Sequence, residues 1–348
     1  MRIIVDVMSG DNAPSELIKG VCASALENPE VKYTLVGDKE TIEKTASELD
    51  LDISSFDITH STQIITMEDD PLSVTRVKSD SSMSVGLRLL AEGGGDAFIS
   101  AGNTGALFTG ASLIVRRAQG VRRAAIGAVL PMNPPLLLLD AGANINVDAE
   151  YLENFAVMGS AYMKKIHGLE SPRVGLLNNG SEECKGTELQ LNAYKLLSEC
   201  PFINFVGNVE GNMVMRDKCD VLVTDGFTGN ILLKSVEGMG KMMLLTMKDL
   251  FFTNTKTKMA ALLVKGELSK VKRNFDPSEY GGAPILGIAK PVIKAHGSSK
   301  EKSFKSALRQ AIFCAREGVS DEISNDMKQL ADLKKQRKAA EEIKTEEN

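Results

Sequence analysis

The ten residues from Val221 to Asn230 have the types and spacing of an anion-binding turn. Val221, Leu222 and Val223 indicate a buried strand, and the chain then turns through an Asp-Gly pair and a Thr-Gly pair. We expect an amphipathic helix to open at Asn230. A strand, a glycine-rich turn and a helix start together direct main-chain N–H groups and the positive end of the helix dipole at one point. Such a point favours a phosphate-like anion.

A second segment, residues 96–106, repeats this arrangement. A short apolar strand leads into Gly102, Asn103, Thr104 and Gly105, and a helical stretch follows. Each turn alone is also compatible with an ordinary tight turn of an α/β fold. Neither turn has a GxGxxG fingerprint or the lysine spacing of a Walker motif. The pair therefore favours a phosphate-like substrate held by main-chain amides.

The elements that must position these turns are strands alternating with helices. The predicted strands are Arg2–Val7, Lys32–Val36, Ala97–Ser100, Ala125–Leu130, Leu136–Asp140, Arg173–Leu177, Asn204–Gly207 and Asp220–Thr224. Several are apolar throughout, as is typical of strands covered by helices on both faces. We expect a three-layer α/β/α fold with a mostly parallel sheet, and glycine-rich loops at the carboxyl ends of the strands.

Composition limits the possible functions. The chain has 348 residues, 43% hydrophobic and 25% charged, which is typical of a globular protein with a substantial core. We expect one catalytic domain over residues 1–325 and a charged C-terminal tail over residues 326–348. The net charge of −5 and the aromatic content of 5% argue against a nucleic-acid partner.

The cysteines point to a reducing compartment. Five are scattered through the chain without CxxC spacing, which argues against a disulfide framework and a zinc site. We expect no metal and no cofactor. No signal-peptide pattern and no membrane-spanning apolar run stand out, so the expected location is the cytoplasm.

The segment from Met239 to Phe275 has an unusual composition. The stretch from Thr253 to Arg273 contains six Lys and Arg residues and a single Glu, and Met- and Leu-rich stretches lie next to these charges. The candidate membrane-facing residues in this segment are Leu250, Phe251, Leu262 and Leu263. An apolar helical face with flanking lysines suits an anionic membrane surface. The alternative is a helix pair buried at a dimer interface, with its lysines on the wet side.

Several glycine-rich and polar blocks together resemble the PlsX family, the acyl-[acyl carrier protein]:phosphate acyltransferases of bacterial phospholipid synthesis. The blocks, which span about residues 1–320 in the family's order, are residues 6–14, 78–83, 100–107, 140–144, 179–186, 207–211, 224–230, 280–284 and 296–298. The chain departs from the family at Ser9, where a glycine is usual, and at Cys184, where an aliphatic residue is usual.

The resemblance implies an activity, a fold and partners. The activity is phosphorolysis of acyl-[acyl carrier protein] by inorganic phosphate, which yields acyl phosphate and free carrier. The fold is similar to isocitrate and isopropylmalate dehydrogenases and phosphotransacetylases. From the composition of residues 239–275 we expect, in addition, a projecting helical pair. The implied partners are acyl carrier protein, a second copy in a homodimer, an anionic membrane surface, and a downstream acyl-phosphate:glycerol-3-phosphate acyltransferase. The resemblance also implies peripheral association with the membrane. For this reason we favour the membrane-facing interpretation of Met239–Phe275.

Two residues are the predicted catalytic groups. Lys185 follows a strand and a polar loop, and we expect it to contact phosphate or the developing oxyanion; the alternative is pairing with Glu182 or Glu183. Asn230 is expected to donate to the oxyanion; the alternative is a helix cap. The residues expected to bind phosphate or the acyl group are Asp6, Gly10, Asp11, Asn103, Thr104, Gly105, Asn144, Asp225, Thr228, Gly229 and His296. Asp6 and Asp11 are expected to orient loops or a lysine, and His296 to position the substrate.

Other readings remain. Cys184 beside Lys185 has the chemistry of a nucleophile, although a small inert thiol is the simpler interpretation. A metal- or NAD-dependent dehydrogenase of the related fold would need a nucleotide site and clustered aspartates, and neither is evident. A scaffold that recruits lipid enzymes without catalysis would not need Lys185 and Asn230 in intact motifs.

Overall fold

One sheet organises the molecule. The structure, a computed structural model, describes residues 1–130, 132, 134–264, 266 and 281–346. In the described chain the strands are β1 (Arg2–Asp6), β2 (Lys32–Gly37), β3 (Asp57–His60), β4 (Ala97–Ser100), β5 (Ala125–Leu130), β6 (Leu136–Leu139), β7 (Arg173–Asn178), β8 (Asn204–Glu210), β9 (Val221–Val223), β10 (Ala283–Leu286) and β11 (Val292–Lys294). All the strands predicted from the sequence are present.

Helices connect the strands. They are α1 (Ser15–Glu27), α2 (Lys39–Glu48), α3 (Ser82–Ala91), α4 (Thr104–Gly110), α5 (Ala149–His167), α6 (Glu188–Glu199), α7 (Gly226–Phe252), α8 (Thr255–Leu263), α9 (Glu301–Arg316) and α10 (Val319–Glu346). A short 3-10 helix covers Pro71–Thr75, and a π-helical turn, Ala111–Val115, continues α4.

Alternating residues of β1 bury the two faces of the sheet under different helices. Ile3 and Val5 lie in the same apolar cluster as residues of α1 and α9. Ile4, between them, packs in a second cluster with Met83 and Leu87 of α3. Successive side chains of a strand point to opposite faces, so helices cover both faces of this strand. The expected three-layer α/β/α fold is confirmed.

The sheet reverses direction near its centre. Its order is β3-β2-β1-β4-β11-β10-β5-β6-β9-β7-β8. The pairs β11–β10, β10–β5 and β5–β6 are antiparallel, and the other pairs are parallel. After three reversals β6, β9, β7 and β8 run opposite to β1, β2, β3, β4 and β11. The carboxyl ends of the two parallel groups therefore lie at opposite edges, and the glycine-rich loops divide into two clusters.

Strands β3, β10 and β11 were not predicted from the sequence. Each has only three or four residues, and Pro284 and Pro291 interrupt the apolar pattern around β10 and β11. A short apolar run next to prolines has no clear strand period. These two strands nevertheless include the point at which the sheet changes direction.

The body of the protein continues past the expected boundary at residue 325. Helix α10 runs across this position, and Met327 and Leu330 are 1% and 3% exposed in the main core. Lys334 contacts the carboxylate of Glu153 on α5 at 2.5 Å. Together with Val319 and Ile323, which are 3% and 1% exposed, these residues form the buried face of α10, and their spacing of three to four residues is the sequence signal that the tail assignment overlooked.

Helix α7 begins at Gly226 rather than at Asn230. Its first turn packs directly on the loop after β6: a Cβ atom at Gly229 would lie 1.9 Å from the main-chain oxygen of Asp140. Gly238, about two and a half turns further, has no atom within 4 Å of its Cβ position. The first glycine is therefore required by packing, and the second is not.

We expect Gly229→Ala to lower the free energy of unfolding by about 2–3 kcal/mol, because the added methyl group overlaps a carbonyl oxygen that the sheet holds in place. The matched change Gly238→Ala should raise it by about 0.5–1 kcal/mol, since alanine is the better helix former. Urea unfolding of both variants measures the difference. Equal effects would contradict the packing argument.

Candidate functional site

The candidate site consists of two loop clusters. The first loop cluster comprises residues 6–12, 100–105 and 294–298, after β1, β4 and β11. The second comprises residues 140–144, 178–186 and 224–230, after β6, β7 and β9. The predicted residues in the first are Asp6, Gly10, Asp11, Asn103, Thr104, Gly105 and His296. Those in the second are Asn144, Lys185, Asp225, Thr228, Gly229 and Asn230.

A buried carboxylate, which the sequence did not single out, holds the second cluster together. Asp140 is 0% exposed and accepts hydrogen bonds from the main-chain N–H groups of Ile126 (3.0 Å), Gly142 (3.2 Å), Ala143 (3.1 Å) and Asn144 (2.6 Å). Burial raises the pKa of Asp140, and these hydrogen bonds partly offset that rise. The side-chain amide of Asn144 is also committed, because its Nδ2 donates to Asp140 (2.8 Å) and to the Ala124 carbonyl (2.8 Å).

The start of α7 is capped from within the protein. The Asp225 carboxylate accepts from the Thr228 N–H at 2.8 Å and from the Thr228 hydroxyl at 2.7 Å. Gly226 donates to the Asn144 carbonyl at 2.7 Å, and Gly229 donates to the Asp225 carbonyl at 2.9 Å. Of the main-chain N–H groups of residues 226–229, only that of Phe227 has no acceptor among the described residues. The free row of amides expected here is thus mostly occupied, and a carboxylate sits at the helix start.

Lys185 and Asn230 lie on the loops of the adjacent strands β7 and β9. Both side chains are exposed, and within the described chain neither makes a hydrogen bond or an ion pair. The alternative pairing of Lys185 with its glutamates does not occur; Glu183 instead accepts from the Tyr194 hydroxyl at 3.0 Å. Asn230 lies against the loop after β6, where a Cβ atom at Gly142 would be 3.5 Å from the Asn230 Cγ.

In the first cluster, Asn103 has a structural role. Its Oδ1 caps α4 by accepting from the Ala106 N–H at 3.0 Å. Its Nδ2 donates to the carbonyls of Thr66, Met67 and Asp69, which belong to the segment that covers this loop. The side-chain amide is therefore fully used. Two main-chain donors remain, because the N–H groups of Thr104 and Gly105 have no acceptor among the described residues.

The strand ends of the first cluster carry a buried polar network. Asp6 is 0% exposed and accepts from the Ser100 hydroxyl at 2.6 Å. Gly10 has a φ of +118°, which favours glycine, and the next residue, Asp11, donates its N–H to the Gly297 carbonyl at 2.9 Å. Lys294 ends β11 and is 9% exposed. A lysine closing an apolar strand was the available sequence signal for this group.

His296 is arranged as a neutral hydrogen-bond donor. Its Nδ1 lies 2.9 Å from the Ser298 hydroxyl and 3.2 Å from the Ser298 N–H. The main-chain N–H can only donate, so this contact assigns the ring proton of the neutral form to Nε2. Burial, and then the charges of Lys234, Lys294 and Lys241, lower the pKa of His296, against an opposing effect of Glu237. Near neutral pH the ring thus presents an N–H group and no charge.

Helix α7 connects the two clusters. It begins in the second cluster, and Lys234 lies two turns further, about 12 Å along the helix axis. There its charge acts on His296 and Lys294 of the first cluster. Helix α7 therefore extends from the second cluster to the charged groups of the first.

Ser9 fits the first cluster without backbone strain. The left-handed position of this loop is Gly10, and Ser9 does not have a positive φ. Its hydroxyl is buried and makes no hydrogen bond among the described residues. It lies beside Gly102, where an added Cβ would be 2.8 Å from the Ser9 Cβ. The departure from the usual glycine therefore places no side chain at a left-handed backbone position.

The far half of α7 and helix α8 carry exposed apolar side chains. Leu250 is 61% exposed, Leu262 is 72% exposed and Leu263 is 88% exposed, while Phe251 is partly covered. No residue of α8 is buried. Residue 265 and residues 267–275 of the expected helical pair lie outside the described residues. No described helix has the length and hydropathy needed to cross a membrane.

Sequence comparison identifies relatives over nearly the whole chain. A family model described as a fatty acid synthesis protein matches residues 1–322. The phosphate acyltransferase of Acetivibrio thermocellus is 45% identical over 327 residues, covering 94% of this chain and 96% of that protein. The phosphate acyltransferase of Bacillus subtilis strain 168 is 42% identical over 331 residues, covering 94% and 98%.

Solved structures with the same fold are more distant in sequence. A phosphotransacetylase from Streptococcus pyogenes matches with a TM-score of 0.63 at 15% identity, over 91% of this chain and 94% of that chain. A 4-hydroxythreonine-4-phosphate dehydrogenase from Burkholderia phymatum matches with a TM-score of 0.52 at 15% identity, over 90% and 97%. These matches confirm the expected dehydrogenase-like fold.

Replacing Asp140 with Asn should lower the free energy of unfolding by about 3 kcal/mol or more, because an NH2 group would then face main-chain N–H donors in a buried site. Asp225→Asn is the matched control and should change it by only a few tenths of a kcal/mol, since Asn caps a helix as well as Asp. Chemical denaturation measures both. An unchanged free energy of unfolding in Asp140→Asn would show that the buried carboxylate does not organise the cluster.

Proposed function

The chain belongs to the fatty acid synthesis family of PlsX phosphate acyltransferases, and we propose that it transfers the acyl group of acyl-[acyl carrier protein] to inorganic phosphate. The products are acyl phosphate and free carrier, for the synthesis of phosphatidic acid. The coarser activity, acyl transfer in fatty acid and phospholipid metabolism, follows from the family itself. The observation that carries the finer proposal is the pair of unpartnered side chains, Lys185 and Asn230, on adjacent loops.

The reaction needs a held nucleophile and a stabilised oxyanion. A phosphate oxygen attacks the thioester carbonyl and forms a C–O bond, and the carbonyl oxygen takes up the negative charge. The C–S bond then breaks, and the thiolate leaves with the electron pair. Phosphate is already anionic near neutral pH, so no enzyme nucleophile is required. The protein must place the two reactants together and neutralise charge.

The two clusters divide these tasks. The Lys185 ammonium and the Asn230 amide of the second cluster are donors for the thioester oxygen. The free N–H groups of Thr104 and Gly105 and the Nε2–H of His296 are donors for phosphate at the first cluster. Asp6, Asp140 and Asp225 each accept hydrogen bonds from the protein, which supports positioning roles for these carboxylates.

Replacing Lys185 or Asn230 with Ala should lower acyl phosphate formation by about a hundredfold or more, the usual size for loss of one oxyanion donor. Both side chains are exposed and unpartnered, so the variants should keep the wild-type fold. The assay combines acyl-[acyl carrier protein] with inorganic phosphate and detects acyl phosphate as its hydroxamate.

Cys184→Ala is the control for this assay. Cys184 is exposed beside Lys185, and its removal should leave most of the activity. An inactive but folded Cys184→Ala enzyme would instead support an acyl-cysteine route. Near-normal turnover in both the Lys185 and the Asn230 variant would contradict the assignment of these residues as oxyanion donors. If the wild-type protein forms no acyl phosphate, the alternative functions that remain are those of a dehydrogenase or of a non-catalytic scaffold.

The product of the proposed reaction requires a consumer. Acyl phosphate is a reactive mixed anhydride, so we propose that a glycerol-3-phosphate acyltransferase takes it up at the membrane. The exposed apolar side chains of α7 and α8, next to Lys256 and Lys258, support peripheral association with an anionic membrane. We also propose a homodimer, as the family resemblance implies.

Changing Leu262 and Leu263 together to Glu should abolish sedimentation with anionic vesicles while activity on soluble substrate survives. Each fully buried apolar side chain contributes roughly 1.5–3 kcal/mol to insertion, and each lysine adds about 1 kcal/mol at an anionic surface. Leu113→Glu, at a position that is 57% exposed elsewhere on the protein, is the control and should still sediment. If the double variant loses its dimer or its fold, the segment is an interface between subunits.

A further inference from the structure

A buried lysine in the first loop cluster has no role in the reaction described above. Lys294 is 9% exposed at the end of β11. Its Nζ donates to the main-chain oxygen of Ala101 at 3.3 Å and to that of Ala295. These carbonyls belong to the segments that follow β4 and β11. One ammonium group therefore joins two loops that are almost two hundred residues apart in the sequence.

The charge of Lys294 is not neutralised by a direct ion pair. Within the described chain no carboxylate lies at ion-pair distance from it, and the Asp6 carboxylate accepts from Ser100 and from the Met8 N–H instead. Asp11 and Asp6 favour the charged form from further away, and Lys234 of α7 opposes it. Burial outweighs the carboxylates and lowers the pKa of Lys294 to about 8. The ammonium group thus keeps a positive field in this cluster at neutral pH.

This field acts on His296, two residues along the chain. The charged groups that face the imidazole are Lys294 on β11 and Lys234, Glu237 and Lys241 on α7. Three lysines against one glutamate favour the uncharged ring. The Ser298 N–H holds Nδ1 as an acceptor, so Nε2 is left to donate. A donor N–H surrounded by lysines suits an anionic oxygen atom.

We propose that Lys294 is a positioning residue for phosphate: it fixes the loops after β4 and β11 and keeps His296 uncharged, so that Nδ1 still accepts from the Ser298 N–H and the ring is held with its Nε2–H as donor to a phosphate oxygen. The identity of the anion rests on the proposed function. The coupling between Lys294 and His296 does not, because it follows from the hydrogen bonds and the charges alone.

The first experiment measures the pKa of His296 by NMR. The chain has only three histidines, so the ring resonance is assigned by its loss in His296→Gln. In Lys294→Met the pKa of His296 should rise, because a like charge is removed. Lys290→Met is the matched control: Lys290 lies four residues earlier and also donates to a main-chain oxygen, that of Gly95 at 2.9 Å, so the pKa of His296 should stay unchanged. An unchanged pKa in Lys294→Met overturns the proposal.

A wild-type measurement covers the case in which Lys294→Met does not fold. The His296 resonance should show a second, smaller inflection near pH 8, where Lys294 loses its proton, and that inflection should persist in Lys290→Met. Its absence from the folded wild-type protein would count against the coupling.

Inorganic phosphate alone is the probe for binding. It should shift the His296 resonance of the wild-type protein with saturation. Lys294→Met should weaken this binding at least about tenfold, because a His296 ring that is no longer held in place loses its hydrogen bond to the charged phosphate. Phosphate that leaves the His296 resonance unmoved would refute the donor role. If phosphate binds as expected but no acyl phosphate forms, the proposed function fails and this inference stands.

Discussion

Asp140 carries a carboxylate without access to water, and four main-chain N–H groups converge on it. A buried carboxylate is tolerated only when hydrogen bonds replace its hydration. The hydrogen bonds that take the place of water around Asp140 force the loop after β6 into a tight turn, with φ of +139° at Gly142. It also brings this loop against the first turn of α7, where only glycine fits at residue 229. The position of Asn230 follows from this single desolvated group.

The second constraint is the direction of the strands. Three consecutive antiparallel pairs separate the two parallel parts of the sheet, so each part has its own set of carboxyl-end loops. Helix α7 bridges the two sets, with Asn230 beside one and Lys234 near the other. In the reaction that we propose, each cluster holds one of the two reactants.

Charge is distributed unevenly in an acidic chain. Each cluster has its own lysine, Lys185 exposed in one and Lys294 buried in the other, while the buried aspartates accept hydrogen bonds from neighbouring groups. Positive charges are thus left to act on an anionic substrate, and negative charges are used to hold loops. The buried Lys294 charge is screened by water less than the exposed Lys185 charge and therefore acts more strongly on its neighbours.

The sequence by itself determined the α/β alternation, most strands, the glycine-rich turns and the family, because apolar period and glycine spacing are local properties. It did not determine where α7 begins, since the Asp225 side chain extends that helix toward the strand by one turn. It missed the buried network of Lys294, and it placed Met327 and Leu330 in a tail. These outcomes depend on partners far along the chain: Ala101 for Lys294, and the main core for the last helix. Burial and hydrogen-bond partners are decided when distant segments pack, and for that reason only the tertiary structure assigns them.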